Sequence, residues 1–178
     1  MEVTIERSID PDRFYRFYRA AFEPLRTRAA ARHTLTPDEF AEEMHDVRID
    51  KYVAWDDGTP VGLTTVTNDL DSLPWIEPAF YTARHPREAA RGALYYLGYI
   101  LVDPAPAAST FRAFRLMAHT LLERVAAVDG ILAYDVSGYN AERQVGRMIT
   151  NLLRTFGARV EPADTQVFYT AAFGRDHT

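Results

Sequence analysis

The stretch from residue 93 to residue 124, ALYYLGYILVDPAPAASTFRAFRLMAHTLLER, decides the fold of this chain. Residues 93–102 are apolar and β-prone, which predicts a buried strand. A short loop of small residues follows at 105–110, and an amphipathic pattern then predicts a helix from about residue 107 to residue 128. The N–H groups of a first helical turn have no partner within the helix, so a loop of this kind can bind a phosphate group. This strand–loop–helix unit is therefore the first candidate for a ligand site.

Composition and charge limit the classes of protein to consider. The 178 residues predict one domain, 1–178, and 47% hydrophobic with 25% charged residues is typical of a globular protein. A net charge of −5 argues against broad nucleic-acid binding. The chain has no cysteine, which excludes disulfides, thiolate metal sites and a cysteine nucleophile. The N-terminus has no apolar leader and no apolar run approaches a membrane span, so we expect a cytoplasmic protein that does not enter a membrane.

The remaining elements follow from periodicity and from local start and stop signals. Asp10-Pro11 begins a helix that Pro24 ends early, and the Thr36–Glu39 capping box begins another. Asp57-Gly58 predicts a hairpin turn, and the long segment 68–90 predicts a functional loop or a small helix. The predicted strands are 3–7, 51–55, 60–66, 93–102, 131–136, 159–161 and 166–173, with a last long helix at 139–156. This order predicts an α/β (α+β) fold in which a mixed, mostly antiparallel central sheet has helices on both faces.

The order of elements and the residues Ile100, Val102, Asp103 and Pro104 resemble the GNAT superfamily of N-acyltransferases. In that family the equivalent strand diverges from its neighbour and its backbone binds the pantetheine arm of coenzyme A. The loop that follows holds the pyrophosphate at the helix N-terminus. The resemblance implies an acyl-CoA such as acetyl-CoA as co-substrate, with no tightly bound cofactor.

The loop departs from the family pattern. Ala107 stands where the family has Arg or Gln, Thr110 stands at the first patterned glycine, and Arg112 stands at the final Gly or Ala. Side chains restrict the positive-φ conformations that glycine allows, so Arg112 and Arg115 are alternative phosphate ligands or else solvent-facing helix residues. The residues that the resemblance implies for donor binding are Ile100, Leu101, Val102, Ala107, Ala108, Ser109, Thr110, Phe111, Arg112 and Asn140.

Catalysis requires a base for the acceptor ammonium, a donor that polarises the carbonyl and an acid for the departing thiolate. Many family members have a Tyr four residues before the glycine that ends the last helix, but here that position is Leu153. In an aromatic setting Glu77 would have a raised pKa suited to a base, the alternative being a solvated loop carboxylate. The histidines show no metal-ligand spacing, so no metal site is expected. The candidate catalytic residues on segments bordering the family's cleft are Glu77, Tyr99, Asp135 and Ser137.

The leading hypothesis is an N-acyltransferase that moves an acyl group, acetyl or aminoacyl, from an activated carrier such as acyl-CoA to a small-molecule amine. An acyl carrier protein is an alternative donor, because its pantetheine arm carries one phosphate and needs fewer phosphate ligands from the loop than coenzyme A does. An aminoacyl-tRNA donor is a third alternative, with Arg84, Arg87 and Arg91 as contacts. A non-catalytic binding or regulatory module with the same fold is the alternative from another class. A homodimer is left open.

Overall fold

A five-stranded sheet forms the centre of the computed structural model, which describes residues 1–31, 34–103 and 107–173, with only the backbone of 107–109. The strands are β1 (Glu2–Glu6), β2 (Asp50–Asp56), β3 (Thr59–Thr67), β4 (Leu94–Val102) and β5 (Ile131–Ala133), in the order β1-β2-β3-β4-β5. The first four strands pair antiparallel, and β5 pairs parallel to β4. The predicted fold class is confirmed.

The helices begin where the sequence carries start signals. Thr36 and Glu39 form the predicted capping box, in which each side chain accepts from the other residue's backbone N–H. Asp57 and Gly58 both have positive φ, 48° and 77°, which is the geometry of a tight hairpin turn. The helices are α1 (Asp12–Phe22), α2 (Pro37–His45), α3 (Pro78–Arg84), α4 (Pro86–Ala90), α5 (Ala107–Ala126), α6 (Gly138–Glu142) and α7 (Val145–Thr155), with 3₁₀ turns at Glu23–Thr27 and Leu70–Ser72.

Each face of the sheet is covered by different helices. On one face, α1 and α2 pack against β2, β3 and β4 through a buried cluster that includes Phe14, Tyr18, Phe40, Met44 and Leu63. On the other face, α5 packs through Ala113, Met117, Leu121 and Val125. Aromatic rings dominate the first cluster: Tyr18 contacts Phe40 at a ring-centroid distance of 4.7 Å. The two cores hold β4 between them.

Four of the elements predicted for the C-terminal third were wrong. The strand expected at 131–136 ends at Ala133, since β5 pairs with β4 over three residue pairs only. The helix expected at 139–156 is divided into α6 and α7 by Gln144, whose φ of 66° interrupts the helical hydrogen bonds. Residues 158–173, which include both predicted final strands, form no helix or strand and are mostly exposed. A β-prone segment becomes a strand only when it pairs with another strand, and these residues pair with none of the described strands.

Candidate active site

Strands β4 and β5 separate after the first third of β4. They pair at Leu94–Ile131, Tyr95–Leu132 and Tyr96–Ala133, and no pair follows in the described part of the chain. Strand β4 continues to Val102 and keeps its pairing with β3 on the other edge. Residues 97–102, here called the open segment of β4, therefore have one edge whose N–H and C=O groups face a gap instead of a strand. Such an edge can pair with an extended ligand.

A β-bulge lies at the beginning of the open segment. Val66 pairs with Leu97 and Thr65 pairs with Tyr99, which leaves Gly98 as the extra residue. A Cβ at Gly98 would lie 2.5 Å from Thr65 Oγ1, so only glycine allows this close approach. A bulge bends its strand and increases the local twist. It therefore accounts for the divergence of β4 from β5.

The point of separation is held by a partly buried hydrogen bond. The Tyr96 hydroxyl donates to Asp135 Oδ1 at 2.8 Å, just beyond the last β4–β5 pair. The Tyr81 ring meets the Tyr96 ring edge-on at a centroid distance of 5.8 Å. Burial and the neighbouring Asp135 carboxylate raise the pKa of Tyr96 far above its usual range, so its hydroxyl stays protonated and remains a donor. Asp135, a predicted catalytic residue, here accepts the hydrogen bond that fixes the apex of the gap.

Three side chains with buried oxygen atoms meet behind the open segment, and we call them the Glu43 cluster: Glu43 from α2, Thr65 from β3 and Tyr99 from β4. Only 7% of Glu43 is exposed. Glu43 Oε1, Thr65 Oγ1 and Tyr99 Oη are all buried without a hydrogen-bond partner. Burial raises the pKa of Glu43 to about 7, although the two hydroxyls and the charge of Lys51 lower it. Unsatisfied buried groups of this kind are costly and are commonly retained at functional sites.

Lys51 is the buried cation next to the Glu43 cluster. Its Nζ donates to Asp46 O at 2.6 Å and to Arg7 O at 3.0 Å, and the residue is fully buried. Burial lowers the pKa of Lys51 to about 8, against the opposing effect of Glu43. Lys51 therefore joins the C-terminal end of α2 to the strand end of β1, and its field favours the ionised form of Glu43.

Aromatic and arginine side chains join the α1 side of the molecule to α6. Arg28 Nη1 donates to Tyr139 Oη at 2.8 Å. The guanidinium of Arg28 also lies 5.2 Å from the Tyr139 ring centroid, and that of Arg143 lies 3.9 Å from it. These contacts connect the segment after α1 to the segment after β5. The beginning of α6 is therefore held to the α1 side of the sheet.

The other predicted catalytic residues lie in several places. Tyr99 belongs to the Glu43 cluster, and its ring contacts Tyr18 and Phe22. Ser137 is the N-cap of α6, where its hydroxyl accepts from Asn140 N at 3.3 Å. Glu77 is exposed and caps α3 by accepting from Ala79 N at 3.2 Å, so the aromatic enclosure expected for it is not formed. Of the four candidates, the structure brings only Tyr99 to the buried acid.

The predicted donor-binding residues divide between β4 and the first turns of α5. Ile100 and Val102 face α5, whereas Leu101 is buried against α1. Ala107, Ala108 and Ser109 begin α5, and Pro104 lies outside the described residues. Thr110 Oγ1 donates to Asp103 O at 2.5 Å, which ties the helix start to the end of β4. Phe111, Arg112 and Arg115 are exposed, with the Arg115 guanidinium 5.7 Å from the Phe111 ring centroid.

An apolar cavity adjoins the open segment on the α5 side. Leu97 and Ile100 of β4 line it together with Leu132 of β5, and side chains of α5 and α7 complete its walls. Leu153 of α7, which stands where many family members have Tyr, is buried among these residues. The open segment therefore has a polar cluster on one face and an apolar cavity on the other.

Sequence reasoning missed Glu43. The signal was present, because Glu43 shares the buried face of α2 with Phe40 and Met44 at helical spacing, while Glu42 is exposed. An acid on an apolar helix face has either a partner or a function. The periodicity identified the face, but the neighbouring hydroxyls of Thr65 and Tyr99 come from distant strands.

Of the arginines considered for tRNA, Arg91 donates to the carbonyls of Val128 and Asp129, and Arg84 lies over the Phe80 ring. Within residues 1–31, 34–103 and 107–173, no group of three or more His, Cys, Asp or Glu side chains is placed to hold a metal ion. None of the helices described for this chain combines the length and the apolar character needed to cross a bilayer.

No protein-family model matches the sequence, and no curated protein matches it. The structure is similar to a ribosomal-protein-alanine N-acetyltransferase from Brucella melitensis biovar Abortus 2308, with a TM-score of 0.53 and 14% identity over 97% of this chain and 99% of that one. It is also similar to a tetramutant of the BH1408 protein from Bacillus halodurans, with a TM-score of 0.58 and 14% identity over 95% and 100% of the two chains. An aminoglycoside acetyltransferase from a soil metagenomic sample, solved with sisomicin, gives a TM-score of 0.50 and 13% identity over 96% and 97%. The chain therefore has the fold of these three proteins, two of which are acetyltransferases.

Proposed function

We propose that this chain, which has the GNAT N-acetyltransferase fold, transfers an acyl group from a thioester donor such as acetyl-CoA to a primary amine of a small molecule. The observation that carries the proposal is the open segment of β4. The separation begins at a bulge and is fixed by the Tyr96–Asp135 hydrogen bond, so it is a built feature of the sheet. An extended pantetheine arm has amide groups that match such an edge.

In this proposal the open segment binds the donor and polarises its carbonyl. Backbone N–H groups of residues 97–102 donate hydrogen bonds to the arm and, near the bulge, to the thioester oxygen. That oxygen gains negative charge as the amine attacks, and preorganised donors stabilise the charge. The apolar cavity lined by Leu97 and Ile100 gives the pantetheine arm a dry wall. The aminoglycoside bound to a structural neighbour is an amine, which supports a small-molecule amine acceptor here.

The phosphate end of the donor lies at the beginning of α5 in this proposal. The N–H groups of its first turn and the guanidinium groups of Arg112 and Arg115 are the available anion ligands. The two arginines are exposed and lie three residues apart on the helix, so both are accessible to a phosphate. They would compensate for the glycines that the loop lacks.

The donor is tested by thermal stability. We expect coenzyme A to raise the melting temperature, because a ligand that binds only the folded state stabilises it. Acyl carrier protein and charged tRNA are the other arms of the experiment, and each would identify a different donor. If none of the three changes the melting temperature, the acyl-donor proposal fails.

The reaction is tested with isotopically labelled acetyl-CoA and a mixed library of amines. Transfer of label to an amine is the expected result. The buried Leu153, in place of a Tyr acid, supports the alternative of a binding or regulatory module. Stabilisation by coenzyme A without transfer to any amine would favour that module over the enzyme.

A further inference from the structure

The hydroxyls of Thr65 and Tyr99 and the charge of Lys51 compensate the burial of Glu43 only in part, since its pKa stays raised. A carboxylate in a core normally pairs with a cation or accepts several hydrogen bonds. Lys51, the cation beside it, instead gives its hydrogen bonds to the backbone carbonyls of Asp46 and Arg7. Glu43 Oε1 accepts no hydrogen bond. The fold therefore retains a destabilising acid at one defined point.

That point is directly behind the bulge. Thr65, whose hydroxyl faces Glu43, is the residue whose Oγ1 a Cβ at Gly98 would touch. Tyr99, the next residue of the open segment, also directs its hydroxyl at Glu43. The three unpartnered oxygen atoms thus converge on the place where β4 leaves β5. They lie on the α1–α2 face, opposite the apolar cavity lined by Leu97 and Ile100.

The chemistry of the three groups matches a primary ammonium ion. An ammonium has three donors and no acceptor, and Glu43, Thr65 and Tyr99 each offer an acceptor oxygen. Aromatic rings of Tyr18 and Phe22 pack against Tyr99, and ring faces also favour a cation. The charged groups that act on Glu43 are Lys51, which favours its ionised form, and Asp46, which opposes it.

We infer that the Glu43 cluster is the acceptor site, in which Glu43 takes a proton from the ammonium group of the amine substrate. The inference rests on the proposed acyltransferase function. It assigns the base to α2, whereas the sequence pointed to the exposed Glu77.

The proton balance is complete with groups already named. The Glu43 carboxylate takes one proton from R–NH₃⁺ and leaves the neutral amine. The amine nitrogen then attacks the thioester carbon, so a C–N bond forms and the C–S bond breaks. The proton that the nitrogen loses neutralises the departing thiolate, and Glu43 returns its own proton to solvent. Because burial raises the pKa of Glu43 to about 7, the carboxyl can both accept and release a proton near neutral pH.

The test compares Glu43→Gln with Glu42→Gln, an exposed neighbour on the same helix. We expect Glu43→Gln to lower kcat about 100-fold or more, as loss of a general base does, while coenzyme A stabilises both variants equally. In the wild type and Glu42→Gln, kcat/KM should rise with pH to a plateau above about 7, as the pKa of Glu43 requires. This rise of kcat/KM with pH should be absent from Glu43→Gln. Equal kcat and equal pH profiles in the two variants would overturn the inference and leave the acyltransferase proposal standing.

A second measurement does not depend on turnover. At pH 8, where Glu43 is ionised, 1,4-diaminobutane should raise the melting temperature of the wild type and Glu42→Gln but not of Glu43→Gln. At pH 5.5, where Glu43 is protonated, the shift should disappear from all three. A shift of equal size in Glu43→Gln, or no shift in the wild type, would overturn the inference even if the protein transferred no acyl group.

Discussion

The hydroxyl of Tyr96 donates a 2.8 Å hydrogen bond to Asp135 at the point where β4 and β5 separate. Tyr96 is the last β4 residue that pairs with β5, through Ala133, and Asp135 lies two residues further along the chain. The bond therefore joins the two strands just beyond their last backbone pair. It sets how far the gap extends without closing it.

Removal of this hydroxyl should loosen the gap. We expect Tyr96→Phe to lower the free energy of unfolding by about 1 kcal/mol, the usual value of one hydrogen bond, and to weaken coenzyme A binding several-fold. Tyr95→Phe is the matched control, because it removes a hydroxyl from the adjacent position on the opposite face, which is also buried. Urea denaturation and calorimetric titration give the two quantities. Equal effects of the two variants on coenzyme A binding would contradict a role for the Tyr96–Asp135 bond.

The bulge should not tolerate a side chain. A Cβ at Gly98 would lie 2.5 Å from Thr65 Oγ1, so Gly98→Ala must displace Thr65 or β4. We expect a loss of about 1–3 kcal/mol in unfolding free energy, as in other overpacked sites, together with loss of acyl transfer. Gly146→Ala in α7 is the control, since its Cβ would meet nothing within 4 Å and alanine favours a helix. A Gly98→Ala protein with wild-type stability and activity would refute the role of the bulge.

The stability of the protein should fall as pH rises through the acidic range. Burial raises the pKa of Glu43 to about 7 in the folded state, whereas an unfolded Glu titrates near about 4.3. Between these values the folded state binds more protons, so the free energy of unfolding decreases from about pH 4.3 to about pH 7. Glu43→Gln lacks this dependence and should be more stable than the wild type at pH 7.5, by about 1–3 kcal/mol.

Urea denaturation of the wild type and of Glu43→Gln at pH 4.5, 6 and 7.5 checks this prediction. The difference should shrink toward pH 4.5, because this pH is close to the pKa of the unfolded carboxyl and little of the proton-linked loss of stability has accumulated there. Lys51, whose pKa is lowered to about 8, adds a rise in stability only above that pH. A constant difference between the two proteins across the series would show that Glu43 does not titrate as described.

The contribution of Arg112 and Arg115 to coenzyme A binding should be separable from that of the open segment of β4. We expect Arg112→Ala with Arg115→Ala to weaken coenzyme A binding about tenfold, since each removes a charge-assisted hydrogen bond at an exposed site. Binding of pantetheine, which lacks the phosphates, should be unchanged. Arg16→Ala with Arg19→Ala is the control, because these two are also exposed and also lie three residues apart on one helix. Equal loss of coenzyme A binding in the two pairs would leave Arg112 and Arg115 as solvent-facing residues.

Local signals in the sequence predicted most of the fold. The Asp57-Gly58 turn and the Thr36–Glu39 capping box specify their own geometry, because the groups that stabilise them are close in the chain. The apolar strand at 93–102 and the helix after it were also correct. The candidate active site was predictable to the level of its strand, which the resemblance to the acyltransferases singled out.

The errors concern features that depend on distant residues. Where β5 ends is set by its divergence from β4, and a β-prone segment such as 166–173 becomes a strand only if an edge receives it. The last helix divides at Gln144, where no glycine or proline in the sequence indicates a break. Helical spacing alone places Glu43 on the buried face of α2. Its site was overlooked because the hydroxyls of Thr65 and Tyr99 reach it only after β3 and β4 pair.

The most direct test of the central claim is titration of the ¹⁵N-labelled protein with coenzyme A, followed through the backbone amide signals. If the open segment binds the donor arm, the amides of residues 97–102 should shift and those that face the gap should become protected from hydrogen exchange, while the amides of β1 and β2 stay unchanged. Binding of coenzyme A that leaves the amides of 97–102 unshifted and unprotected would contradict the account.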